Sequence, residues 1–258
     1  MKPPILLLCF LLATGEALGC SPTEDAIVGK FERQIKASIG NQSKSIVDFD
    51  YLLPVCKAWP QKPGYTIITI PYAYQANKDS ERYFGMLAAI VDDKTGEVRA
   101  LMDDKRLMLI DAIEPNDIDI DTADYPIKPG TLAFGVRIAR QNHSAAIPIR
   151  EEVINIYALD AAGLKKIINA LLKVSSYGES DGTCKYSTSE TTSSLTVLNT
   201  MTNGYFDIQD MVTEIISGTG KSRISCARRN PIRKTTNYVL KFAGKQYTIP
   251  KRLQGEVN

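Results

Sequence analysis

The sequence predicts an α+β fold: mainly antiparallel β-sheet, with an N-terminal helix and one inserted helix over 160–172. Three observations carry this prediction. β-branched and aromatic runs recur along most of the chain and are separated by short polar turns, several containing glycine. Apolar residues at helical spacing occur in only two segments. The alternating strand–helix rhythm of a doubly wound nucleotide-binding fold is missing.

The chain begins with an export-like segment, residues 1–19. Lys2 precedes an apolar run from Pro3 to Leu12, and small residues lead to Ala17-Leu18-Gly19-Cys20. The run is about half the roughly 20 residues that a membrane-spanning helix needs. Two cleavage chemistries fit. A general signal peptidase would cut after Gly19 and release a soluble exported protein. Alternatively, Leu18-Gly19-Cys20 is read as a lipobox, with Cys20 lipidated and the chain tethered to a membrane surface. Ala17 stands where a lipobox usually has a large aliphatic residue, which favours soluble export.

Thr23 to Ser38 is the first helix. Ile27, Phe31, Ile35 and Ile39 recur every four residues, Thr23 can cap the start, and Gly40-Asn41 ends it. Residues 41–64 are irregular, with Pro54, Pro60 and Pro63 around Trp59, which is expected in the core or a lid. Strands follow from Tyr65. A hairpin is expected over Tyr83–Asp92 and Glu97–Met102 across Asp93-Lys94-Thr95-Gly96. Shorter strands are expected at 107–113, 118–122, 132–139 and 153–159. The second helix is predicted from Asp160 as N-cap, with Leu164, Ile167, Ile168, Leu171 and Leu172 on one face. Ser180–Ser194 reads as a Ser/Thr-rich surface loop. Asn203-Gly204 is a strong hairpin turn between Leu195–Thr200 and Tyr205–Ile216. A last hairpin closes across Ala243-Gly244-Lys245. After residues 1–19, residues 20–258 are expected to form a single α+β domain, with two β-rich lobes and a seam near 150–175 as the alternative division.

Of 258 residues, 44% are hydrophobic and 23% charged, an ordinary globular balance. The net charge of +2 gives no basis for a nucleic-acid partner or for electrostatic attachment to a membrane. Five cysteines are present, and Cys9 leaves with the export segment. The remaining four allow three pairings. Cys184–Cys226 is preferred because both lie in the β-rich C-terminal part. Its loop of roughly 40 residues would contribute roughly 3–4 kcal/mol. Cys20–Cys56 would then be the second bridge. Lipidation of Cys20 would leave Cys56 an odd thiol.

No segment carries a strong catalytic or metal-binding signature, and no cofactor is expected. Asp117, Asp119 and Asp121 alternate on one strand face, which suggests calcium as a weak metal candidate, but no glycine turn wraps ligands around an ion. A solvated acidic edge strand is the preferred reading. Glu179 and Asp181, framed by Gly178 and Gly182, are weak candidates for paired-carboxylate chemistry. His143 is the single histidine and lies in a polar segment without a Gly-x-Ser-x-Gly elbow. Ala227–Lys234 is a basic loop whose charge is opposite to that of residues 114–124.

The expected function is therefore that of an exported bacterial envelope protein acting by non-catalytic binding. Its partner would be another protein or an envelope component, as for an inhibitor or immunity protein. The alternatives are an envelope hydrolase using Glu179 and Asp181, and a structural or assembly factor that docks through strand edges.

Overall fold

The computed structural model describes residues 20–40, 46–75, 80–182, 185–219 and 229–255. Its helix α1 spans Pro22–Gly40, close to the predicted limits. The cap is Ser21 rather than Thr23. Ser21 Oγ accepts the Glu24 N–H, and the Glu24 carboxylate accepts the Ser21 N–H at 2.6 Å, a reciprocal capping box. Val28, Phe31 and Ile35 form the buried stripe.

Strands β1 (Ile46–Asp48), β2 (Val55–Ala58), β3 (Tyr65–Gln75), β4 (Arg82–Asp92) and β5 (Val98–Leu109) make a five-stranded sheet. β1 and β2 pair with opposite ends of β3, and β4 and β5 follow as a meander. The 93–96 turn lies where the sequence puts it, with the Asp92 carboxylate accepting the Lys94 and Thr95 N–H groups. Gly85 is required by packing, because a Cβ there would lie 2.6 Å from the Tyr72 ring.

The second sheet is an antiparallel meander of seven strands. They are β6 (Glu114–Asp121), β7 (Leu132–Gln141), β8 (Ile149–Asp160), β9 (Gly163–Ser180), β10 (Tyr186–Thr202), β11 (Tyr205–Gly218) and β12 (Ile232–Leu240). The 150–175 segment lies within the β8–β9 hairpin of this sheet.

Three apolar clusters order the layers. α1 covers one face of the first sheet through Phe31, Ile35, Ile68, Tyr72 and Leu87. The two sheets bury Trp59, Phe84, Ile90, Phe134, Val136 and Tyr157 together. Trp59 is a core residue, meeting the Phe134 ring edge-on at 5.6 Å. Ile154, Ile156, Ile168, Leu171, Ile208 and Val212 pack with Phe242, Tyr247 and Leu253 from the C-terminal segment. Phe242 and Tyr247 are bridged across the predicted last turn, at Ala243–Gln246.

The predicted helix over 160–172 is a correction. Ala161-Ala162 is a two-residue hairpin loop, and β9 runs straight on from Gly163. Asp160 accepts the Ala162 N–H and pairs with Lys165 instead of capping a helix. Register shifts along the β8–β9 pairing, with Ala170 held at φ 49°, break the two-residue alternation. Ile167, Ile168 and Leu171 therefore reach one core while Ala170 and Leu172 reach the other, which gives apolar positions an apparent three-to-four spacing. The bulge is anchored: Asn155 Oδ1 accepts the Ala170 N–H, and the Ala170 carbonyl accepts the Gly255 N–H.

The Ser180–Ser194 loop is also corrected. From Tyr186 onward it is β10, paired to β9 on one side and β11 on the other. Threonine fits a pleated surface well, and its polarity shows only that this strand has little apolar cover. The Asn203-Gly204 turn is found, with both residues at positive φ, as a type I′ hairpin requires.

Candidate functional site

The structure joins Cys20 and Cys56 in a disulfide. Cys184 and Cys226 lie outside the described residues, as do residues 1–19 and 220–228. The bridge ties the start of α1 to β2. Cys20, Glu24 and Cys56 are the only group of three potential metal-ligand residues clustered within 4.8 Å among the described residues. Both sulfurs are bonded to each other, so neither is a thiolate ligand.

Asp117, Asp119 and Asp121 lie on β6, an outer strand of the seven-stranded sheet, between buried Ile118 and Ile120. They do not converge on one point. Asp119 pairs with Lys57 at 3.5 Å. Asp121 takes Arg137 at 2.5 Å and the Tyr125 hydroxyl at 3.0 Å. Burial works against the Asp121 charge, but the Ala123 N–H and Arg137 hold its pKa below the usual value. Glu179 and Asp181 are exposed at the end of β9 and the turn after it, beside a shallow cleft with Lys185, Tyr186 and Thr219. A carboxylate serving as general acid near neutral pH needs burial or a like charge close by. His143 is exposed in the β7–β8 connection.

The structure assembles a polar row that the sequence does not announce. Arg137 on β7 bridges Asp121 on β6 and Glu152 on β8. Beyond it, Lys173 on β9 donates to Ser193 Oγ on β10 at 3.2 Å, and Ser193 donates to Asp210 on β11 at 2.5 Å. Lys173 is 6% exposed and Asp210 0%. Burial lowers the Lys173 pKa, against the attraction of Asp210, and burial raises that of Asp210. Asp121, Arg137, Lys173 and Ser193 line a cleft of about 320 Å³ with Tyr125 and Leu195. The row from Asp121 through Arg137, Glu152, Lys173 and Ser193 to Asp210 draws on six strands spread over 90 positions, so no local pattern signals it.

The second distinctive surface is the ribbon β10–β12. Met201, Met211, Ile216, Ile232 and Val239, half of the large apolar side chains exposed among the described residues, lie on these three consecutive strands. Among the described residues β12 pairs only with β11, in a continuous nine-residue register. At the other end of the sheet, Lys57 Nζ and Gln61 Nε2 donate at 2.7 Å to the Ile120 and Thr122 carbonyls. Basic residues 229–234 and the acidic β6 are thus at opposite ends of one sheet and do not pair within it.

Comparison with protein-family models, with curated proteins and with solved structures finds no match to this chain. Among the described residues no helix is long and apolar enough to cross a membrane.

Proposed function

We propose that this chain is an exported envelope protein that acts by non-catalytic binding of another protein, and that the β10–β12 ribbon is its binding surface. The carrying observation is that both faces of that ribbon expose apolar side chains: the cross-strand pair Ile216 and Ile232 on one face, at 49% and 67% exposure, and Met211 on the other, at 44%. Surfaces of this kind are stabilised by a partner that removes them from water. The exposed setting of Glu179 and Asp181 gives the hydrolase alternative no comparable support.

Export is supported by the pattern of residues 1–19 and by the Cys20–Cys56 bridge, which suits an oxidising compartment. A lipid thioether on Cys20 would use the sulfur that this bridge uses, so the soluble form fits better. Mass spectrometry of the mature N-terminus distinguishes the two: a free Cys20 amine with a bridged thiol is expected, and a diacylglyceryl mass would reverse this part of the reading.

The binding reading is tested by capture from envelope extract, comparing the wild type with the Met211→Ser/Ile216→Ser double variant. A partner retained at constant stoichiometry by the wild type and lost by the variant, with unchanged melting, is expected. Equal retention by both would overturn it.

A further inference from the structure

We propose that β12 is a docking edge that accepts an extended, acid-bearing segment of a partner protein as an added strand. This rests on the protein-binding reading above and names the partner's chemistry. A strand at the end of a sheet presents alternate N–H and C=O groups outward, and an extended peptide can satisfy them. β12 is long enough to offer several such pairs, with nine residues in unbroken register from Ile232 opposite Ile216 to Leu240 opposite Ile208. Natural sheets often block such an edge with proline, a bulge or a covering side chain. β12 has no proline or bulge, and among the described residues no backbone hydrogen bond reaches it except from β11.

The side chains select the occupant. β12 reads Ile232-Arg-Lys-Thr-Thr-Asn-Tyr-Val-Leu240 and carries no carboxylate. Arg233 faces Ile215 across the ladder, so its charge has no cross-strand counterpart. Lys234 stands opposite Glu214 in the ladder, but that carboxylate pairs with Arg252 at 2.8 Å. The 233–234 end therefore keeps an excess of positive charge. Opposite charges on adjacent strands stabilise the pair, and like charges directly opposite oppose it. The other end is apolar, with Val239 half exposed. The complementary segment is thus an extended strand with Asp or Glu toward Arg233 and Lys234 and an aliphatic residue toward Val239. The same two cations disfavour an edge-to-edge aggregate of like strands.

The test uses the full mature chain and two synthetic nine-residue peptides with blocked ends. One carries Asp and Glu at the two adjacent positions that would face Arg233 and Lys234, one on each face of the strand, with Val or Thr elsewhere; the other replaces both acids by Lys. The acidic peptide is expected to bind, to slow amide exchange across 232–240, and to lose about tenfold in affinity against the exposed-site double variant Arg233→Glu/Lys234→Glu. Equal binding of the two peptides, or unchanged exchange in β12, overturns the inference. So does sedimentation showing that the chain alone dimerises through β12, which would make a second copy the occupant. If the peptide arm fails while the Met211→Ser/Ile216→Ser variant still loses its captured partner, the edge is refuted and the ribbon's exposed apolar surface stands. Failure of both removes both.

Discussion

Strands β6 and β12 end the same seven-stranded sheet, but side chains from β2 and the turn after it reach the end of β6, and among the described residues only β11 pairs with β12. The difference follows from what lies across the sheet. β6 to β9 pack against the five-stranded sheet, and the pair buries Phe134, Tyr157 and Trp59. Lys57 and Gln61 come with that packing and occupy the β6 edge. β10 to β12 extend past this cover, and their alternate side chains remain polar or exposed. A single meander thus contains a half packed against the second sheet and a half whose apolar burial is confined to Ile208, Val212 and Leu240 beside the C-terminal segment, held otherwise by its ladder and a buried polar row. The lesson is that edge protection is a product of layer packing, and that a binding edge can be made by extending a sheet beyond its partner layer.

The largest expected effect separates the two halves directly. Phe134→Ala, which removes a ring stacked on Tyr157 at 5.6 Å, should cost about 4 kcal/mol in urea unfolding. Met211→Ala on the ribbon should stay within about 0.5 kcal/mol. Similar losses at both sites would break the comparison.

Next is the buried row that links β9 to β11. Lys173→Met leaves the Asp210 charge buried without its nearest cation and should cost about 3 kcal/mol. Combining it with Asp210→Leu should recover most of that loss. An additive double variant would mean that the two groups do not act together.

A smaller effect is expected at the protected edge. Lys57→Ala removes the donor to the Ile120 carbonyl and should cost about 1 kcal/mol. It should also speed amide exchange in β6 while leaving β12 unchanged. Equal acceleration at both edges would show that Lys57 acts on the whole sheet rather than on its edge.

The smallest is a pH effect. Asp210 has a folded-state pKa raised above its ordinary value of 3.8, so its protonated form is favoured by folding. Its contribution is greatest below the unfolded value and is lost as pH rises through the folded one. The wild type should therefore gain stability relative to Asp210→Asn as pH falls from about 7 to about 4 in thermal melts. The opposite slope would mean that Lys173 dominates the titration of the row.

Much of the fold was legible in the sequence, and each success was local. α1 was marked by Phe31 and Ile35 one turn apart, the 93–96 and 203–204 turns by their glycines, and β7 and β8 by their β-branched runs. The helix predicted at 160–172 failed because register shifts around Ala170 imitate helical spacing, and those shifts depend on Asn155 and Gly255, which are distant in sequence. Of the strand at 186–202, the part before Leu195 was hidden, because serine and threonine alone do not reveal pairing. The acidic strand and the basic segment were visible as charge patterns. Their placement at opposite ends of one sheet was not.

By itself the sequence determined the mainly antiparallel character, the N-terminal helix and the hairpin turns, because side-chain period and turn conformation are set over a few residues. Only the tertiary structure decided where the β8–β9 bulges fall, that Lys173, Ser193 and Asp210 meet, and that β6 is covered while β12 is open. Those features are set by register and layer packing between distant strands, where each partner's environment is created by the rest of the fold.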